Sequence, residues 1–153
     1  MKLAKNLKQI KGDASFRSFF RNKKKKPSVI VYAKKDKRLN LLIYDAVNKI
    51  LIKNNILAPK LINENYSKNF IEINDFGNQT IFRFLKKNNK SKLLIYKKII
   101  NLLIKIQLIK DRKITNFKNQ NYIVPKYSSK ILFEEAKLFS NWYVSQKLHE
   151  TCL

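Results

Sequence analysis

The chain has 153 residues, of which 44% are hydrophobic, a size that suits one ordinary domain or about half of a two-lobed enzyme. A single cysteine and a single histidine exclude a disulfide framework and a Cys/His zinc cluster built from this chain alone. The sequence has no hydrophobic run long enough for a signal peptide, and no apolar window of about 18 residues that would span a membrane. We therefore expect a soluble protein of the reducing cytoplasm.

The formal net charge of +24 would favour a nucleic-acid partner, because basic side chains displace counterions from phosphates. The basic residues are, however, 29 Lys and only 5 Arg, whereas recognition of bases and phosphates depends strongly on the planar fork of arginine. The lysines are scattered along the chain, and the one tight cluster is residues 22–26. We interpret the charge as a solvated surface of biased composition and predict no specific nucleic-acid partner and no membrane partner.

The first third of the chain predicts three antiparallel strands. The stretch "LKQIKGDASFRSFFRN", residues 7–22, is typical of a strand, a tight turn and a second strand. Gly12 lies in the turn, where glycine supplies positive φ or lets the backbone approach a ligand closely. The β-branched run "SVIVYA", residues 28–33, predicts the third strand.

A helix and two more strands are predicted next. Apolar residues recur at i, i+3, i+4 and i+7 over residues 36–55, which indicates an amphipathic helix. At 100° per residue, Asp45 lies roughly opposite the middle of the apolar face, so we expect it to face solvent. Residues 58–65 and 69–75 predict strands four and five, after which Gly77 permits a turn.

Beyond Gln79 the sequence predicts helices only, over residues 79–88, 91–110 and 128–148. The last helix begins at serines suited to N-capping. In the helix over 91–110, polar residues form only a narrow stripe, and a helix that is apolar nearly all round belongs in the middle of a larger core.

This order of elements is the layout of a kinase-type N-terminal lobe, and the sequence resembles the aminoglycoside phosphotransferase and choline kinase-like family. The likeness is greatest to the bacterial branch that phosphorylates the anomeric hydroxyl of N-acetylmuramate and N-acetylglucosamine in cell-wall recycling. It is carried by residues 12–21, 57–80 and 127–143, in the order of the family. The resemblance implies an α+β fold with a five-stranded antiparallel sheet plus one helix in a nucleotide-binding lobe, residues 1–78. Residues 79–153 would then be the truncated helical start of a C-terminal lobe.

The resemblance also implies a phosphate-covering loop. In the family the first two strands and their turn fold over the nucleotide phosphates, so Gly12, Asp13, Ala14 and Ser15 would form this loop. Consecutive backbone N–H groups in a tight turn make an anion-binding concavity, which agrees with that role. A simple hairpin turn is the alternative.

The same family likeness implies an adenine site and two cofactors. The strand backbone at Glu72, Ile73 and Asn74 would face the adenine, with ATP and Mg²⁺ as cofactors and a sugar or amino-sugar hydroxyl as acceptor. The triplet Asp-Phe-Gly that starts at Asp75 holds magnesium in protein kinases, where it follows a catalytic H-R-D loop. No such loop precedes it here, so we interpret Asp75 as a turn residue.

Other parts expected of a kinase are absent from the sequence. The third strand contains no lysine to hold the phosphates, and only Lys34 and Lys35 lie just past its end. The family's His-x-Asp-x-x-x-x-Asn loop and its later metal-binding segment do not occur in the 153 residues, so no catalytic or metal residue is assigned. We predict the N-terminal portion of a small-molecule phosphotransferase that is inactive alone and whose partner is a missing C-terminal half. The alternatives are a small basic RNA-binding protein or a non-enzymatic fragment that binds a partner through its apolar helix.

Overall fold

A computed structural model describes residues 6–10, 15–23, 26–87 and 92–144. The chain forms two compact units, Met1–Ile123 and Val124–Leu153. This boundary separates units by their internal packing alone. The predicted division into a nucleotide-binding lobe, residues 1–78, and the start of a C-terminal lobe, residues 79–153, stays a prediction.

The first unit contains a five-stranded antiparallel sheet with the strand order β1-β2-β3-β5-β4. The strands are β1 (Leu7–Ile10), β2 (Arg17–Asn22), β3 (Ser28–Ala33), β4 (Leu61–Asn65) and β5 (Phe70–Asn74). The β-branched residues of β3 and β5 occupy the centre of the sheet, where such side chains pack well on a pleated surface. The predicted fold class, α+β with a five-stranded antiparallel sheet, is confirmed.

One helix, α1 (Leu39–Lys53), packs on a face of this sheet. Of the apolar positions at helical spacing, Leu42, Ala46 and Ile50 are buried, together with Leu41, whereas Leu39 and Ile43 at the same spacing are exposed. Leu41 belongs to a core cluster with the central strand residues, namely Val29, Val31, Ala33, Ile71 and Ile73. The core therefore lies between α1 and the middle of the sheet.

The prediction that only helices follow Gln79 is wrong. After α2 (Ile81–Lys87) and α3 (Lys92–Gln107) the chain forms an antiparallel hairpin of β6 (Lys113–Thr115) and β7 (Asn121–Ile123). The buried side chain of Asn116 organises the turn, because its Oδ1 accepts hydrogen bonds from the backbone N of Lys118 at 2.9 Å and of Gln120 at 3.2 Å. A local side-chain-to-backbone interaction of this kind stabilises a turn that has no glycine or proline.

The hairpin packs against α1, and this corrects a second expectation. Phe117 lies edge-on to Tyr66 with ring centroids 6.0 Å apart, and Lys49 Nζ donates a hydrogen bond to the Thr115 carbonyl at 3.2 Å. Asp45, expected to face solvent, is only 4% exposed and pairs with Lys49 at 2.9 Å. The helical wheel located one apolar face, whereas α1 has a second, polar face that is covered.

Helix α3 has no buried residue. Its exposed apolar side chains are Leu93, Leu94, Tyr96, Ile100, Leu102, Leu103, Ile104 and Ile106. Large exposed apolar surfaces commonly mark sites of interaction.

In the second unit, α4 (Ser129–Leu138) begins at Ser128, whose Oγ accepts a hydrogen bond from the Ile131 N–H at 3.3 Å, as the capping serines predict. A π-helical segment, Phe139–Val144, follows α4. Among the described helices of both units, none has the length and apolarity needed to cross a membrane.

Candidate functional site

A cavity of about 690 Å³ lies in the first unit, between the strands β1 to β3 and the segment that leaves β5. Its volume falls within the range of roughly 300–1,000 Å³ that is usual for small-molecule sites. Hydrophobic side chains form much of its lining, among them Ile10, Phe19, Val29 and Ile73. Such a surface suits a weakly polar group.

The charged lining of the cavity is dominated by cations. Among the residues that the structure describes, Lys8, Arg21, Lys23 and Arg83 line it together with one carboxylate, that of Asp75. Arg21 and Asp75 form an ion pair with 2.5 Å between Nε and Oδ2, so their charges offset each other. The two lysines and Arg83 therefore make the net charge of the described lining positive. The arrangement favours an anionic ligand, because a cleft lined by one sign of charge concentrates the opposite charge.

Asp75 lies in a turn that is stabilised by a hydrogen bond between two of its own residues. Its Oδ1 accepts a hydrogen bond from the Gly77 N–H at 2.8 Å, and Gly77 has the positive φ of 81° that glycine adopts at little cost. The hydrogen bonds from Arg21 hold the pKa of Asp75 below its ordinary value, against the smaller opposing effect of desolvation. Both carboxylate oxygens are thus engaged within the protein, which supports the interpretation of Asp75 as a turn residue.

Most of the predicted phosphate-covering loop cannot be compared with the structure. Gly12, Asp13 and Ala14 lie outside the described residues. Ser15 is exposed, and its Oγ accepts hydrogen bonds from the backbone N and the Nε of Arg17, at 3.2 and 3.3 Å. The role of this loop stays a prediction.

The three residues predicted to face adenine all lie on β5, between β3 and β4. Ile73 and Asn74 line the cavity, whereas the carboxylate of Glu72 accepts a hydrogen bond from the Ser28 hydroxyl. The backbone N–H of Asn74 donates to the carbonyl of Lys60, just before β4, at 3.1 Å, so it is already engaged within the protein. Contact of these main-chain groups with adenine stays a prediction.

Sequence reasoning missed the cations of the cavity, Lys8, Arg21, Lys23 and Arg83. In a chain with 29 Lys and 5 Arg, the presence of arginine at positions 21 and 83 was the available signal. Arginine is the side chain suited to bidentate contacts. The two lysines carried no such signal among so many others.

A five-stranded antiparallel sheet with a helix packed on one face is consistent with the N-terminal lobe of a kinase-like protein. The chain is similar to the N-acetylmuramate/N-acetylglucosamine kinase of Pseudomonas putida, with 24% identity over 145 residues that cover 95% of this chain and 40% of the relative. The kinase of the same name from Pseudomonas aeruginosa is 24% identical over 136 residues, 89% of this chain and 37% of the relative. The chain therefore spans about two fifths of the length of these curated relatives. No protein-family model and no solved structure matches it.

Proposed function

We propose that the chain is the N-terminal, nucleotide-binding portion of an ATP-dependent phosphotransferase of the aminoglycoside phosphotransferase and choline kinase-like family. The observation that carries the proposal is the cation-lined cavity in a lobe whose sequence is similar to two sugar kinases over nearly its whole length. The names of those relatives make an amino sugar of the cell wall the proposed acceptor, and the cytoplasm is the proposed location.

The lining of the cavity fits a nucleotide. The base would rest on the apolar side chains of β1 to β3 and β5, near Ile73 and Asn74. Lys8, Lys23 and Arg83 would neutralise phosphate charge, and the loop from Gly12 to Ser15 would cover the phosphates. In this chemistry the protein acts mainly by positioning and by electrostatic stabilisation, without a covalent intermediate.

The described residues do not fit a magnesium site. In kinases Mg²⁺ bridges the phosphate oxygens and neutralises their charge. Among the residues that the structure describes, no group of three or more His, Cys, Asp or Glu side chains is arranged to hold a metal, and Asp75 is engaged by Arg21. We therefore assign no metal ligand among these residues.

We further propose that the isolated chain does not transfer phosphate. The 153 residues contain no His-x-Asp-x-x-x-x-Asn loop, whose Asp orients the acceptor hydroxyl in the family. Loss of one positioned catalytic group commonly costs orders of magnitude in rate. A C-terminal half that supplies the loop and covers α3 would be the partner.

Nucleotide binding is the first test of this proposal. Titration of a fluorescent ATP analogue should show weak, saturable binding, and Lys8→Ala should weaken it by about two- to fivefold, the worth of one exposed charge pair. Lys68→Ala is the matched control, because Lys68 is also exposed and does not line the cavity. Absence of saturable binding, or an equal loss in both variants, would overturn the proposed site.

The second test measures activity. Purified chain is incubated with labelled ATP, Mg²⁺, N-acetylmuramate and N-acetylglucosamine, with the Pseudomonas putida kinase as the positive control. We expect no acceptor-dependent transfer above background. Transfer that is abolished by Ser15→Ala would show instead that the chain is a complete enzyme.

Two other functions stand as alternatives. RNA-binding sheets stack bases on exposed aromatic side chains, but the aromatic residues of the five strands are buried or half-buried: Phe19, Phe20, Tyr32 and Phe70. The exposed apolar side chains of α3 favour the other alternative, a non-enzymatic fragment that binds a partner. A protein that binds a partner through α3 but binds no nucleotide would support it.

A further inference from the structure

One guanidinium holds three residues of the turn that follows β5. Arg21 donates from Nε and Nη2 to the two carboxylate oxygens of Asp75, at 2.5 and 2.9 Å. Its Nη2 also donates to the carbonyl of Gly77 at 2.9 Å, and its Nη1 donates to the side-chain oxygen of Asn78. These contacts use most of the five N–H groups that a guanidinium carries.

This cluster joins two distant parts of the sequence in a sheltered place. Arg21 is on β2 and Asp75 lies 54 residues later, and their side chains are 17% and 6% exposed. Asp75, Phe76, Gly77 and Asn78 all line the cavity. The turn that Arg21 holds is therefore one wall of the cavity, and β2 contributes Phe19 to the lining as well.

We propose that Arg21 is a positioning residue, which fixes the turn from Asp75 to Asn78 as a wall of the cavity and does not itself bind the ligand's phosphates. The nature of the ligand rests on the proposed function. A lysine at this position would keep the charge, but its ammonium lacks the planar fork that makes two parallel bonds to a carboxylate.

The two possible roles of Arg21, positioning of the wall and direct binding of phosphate, predict different losses of ligand affinity. If Arg21 holds a wall, its replacement lowers the affinity for every ligand that touches the wall, including adenosine, which has no phosphate. If Arg21 binds phosphate, its replacement lowers the affinity for ATP alone. Lys8, which is exposed and lines the cavity, is proposed to bind phosphate directly, so its replacement should lower the affinity for ATP alone.

The affinities for adenosine and for ATP are measured by competition with a fluorescent analogue in Arg21→Lys and in Arg38→Lys. Arg38 is the control because it stacks on Tyr66 at 4.9 Å and does not line the cavity. We expect Arg21→Lys to weaken both ligands by a similar factor of about ten, the worth of one charge-assisted hydrogen bond, and Arg38→Lys to change neither. A loss for ATP alone, or no loss, would overturn the proposal.

Hydrogen exchange tests the same role without any ligand. The N–H of Gly77 is bonded to Asp75, and we expect it to exchange about tenfold faster in Arg21→Lys than in the wild type; an unchanged rate would contradict the inference. If the wild type binds neither adenosine nor ATP, the proposed function fails while this measurement still decides the role of Arg21. Asn78→Ala, which removes one bond and leaves the ion pair with Asp75, replaces Arg21→Lys in both assays if that variant does not fold.

Discussion

Replacing Leu41 with alanine is expected to lower the free energy of unfolding of the first unit by about 3 to 4 kcal/mol. The side chain of Leu41 is 0% exposed and belongs to the core cluster of α1 and the sheet, beside Val31 and Ile71, which are also 0% exposed. Val31 and Ile71 are directly opposite each other in the β3–β5 ladder, so strand pairing resists the movement of either backbone into the vacated space. The cavity left by Leu41→Ala would therefore stay largely open, which places the cost near the middle of the usual range of about 2 to 5 kcal/mol for buried leucine.

The assay is urea unfolding followed by far-ultraviolet circular dichroism. Fluorescence of the single tryptophan is unsuitable, because Trp142 is 64% exposed and belongs to the second unit. With a slope of about 1.5 kcal/mol per molar urea, the midpoint should fall by about 2 to 2.7 M.

The matched control is Leu57→Ala, the same substitution at a side chain that is 84% exposed, and we expect it to change stability by less than about 0.5 kcal/mol. A loss below about 1 kcal/mol in Leu41→Ala, or equal losses in the two variants, would refute the placement of the core between α1 and the sheet.

Three further outcomes are expected. The folded pKa of Asp75 lies below its ordinary value of 3.8. Its pairing with Arg21 therefore contributes stability that is present above pH 3.8 and is lost as the pH falls through the lower folded pKa. Asp75→Asn should remove this acid dependence of the urea midpoint, and an unchanged acid dependence would contradict the pairing. The exposed apolar side chains of α3 are expected to cause self-association of the isolated chain at high concentration. Leu103→Lys should reduce this association in sedimentation, whereas Lys98→Arg, on the same helix, should not. Oligonucleotide binding should be weak, indifferent to sequence and steeply reduced by salt; submicromolar, sequence-selective binding to RNA at physiological salt would show that the charge is functional.

The strands and long helices could be predicted because their signals are local. The β-branched run of β3 and the repeating apolar positions of α1 are complete within their own segments, and each pattern has one regular structure that buries it. The turn at Gly77 was predictable for the same reason, since positive φ is a property of one residue.

The hairpin after α3 gave no comparable signal. Its strands, β6 and β7, have three residues each, too few for an alternating pattern to stand out. Buried Asp45 is linked to the same hairpin through Lys49, which contacts both Asp45 and the Thr115 carbonyl. A helical wheel describes one helix and carries no information on a covering element 66 residues away.

For the candidate site, the sequence by itself determined that a turn follows β5 and that Ile73 and Asn74 stand just before it. Only the tertiary structure decided that Arg21 holds this turn and that Lys8, Lys23 and Arg83 share its cavity. Hydrogen bonds and ion pairs between distant residues depend on strand order and register, and these are set by how the whole sheet buries its apolar face. Local propensity predicts the strands and helices of this protein, whereas tertiary packing brings their charged side chains together.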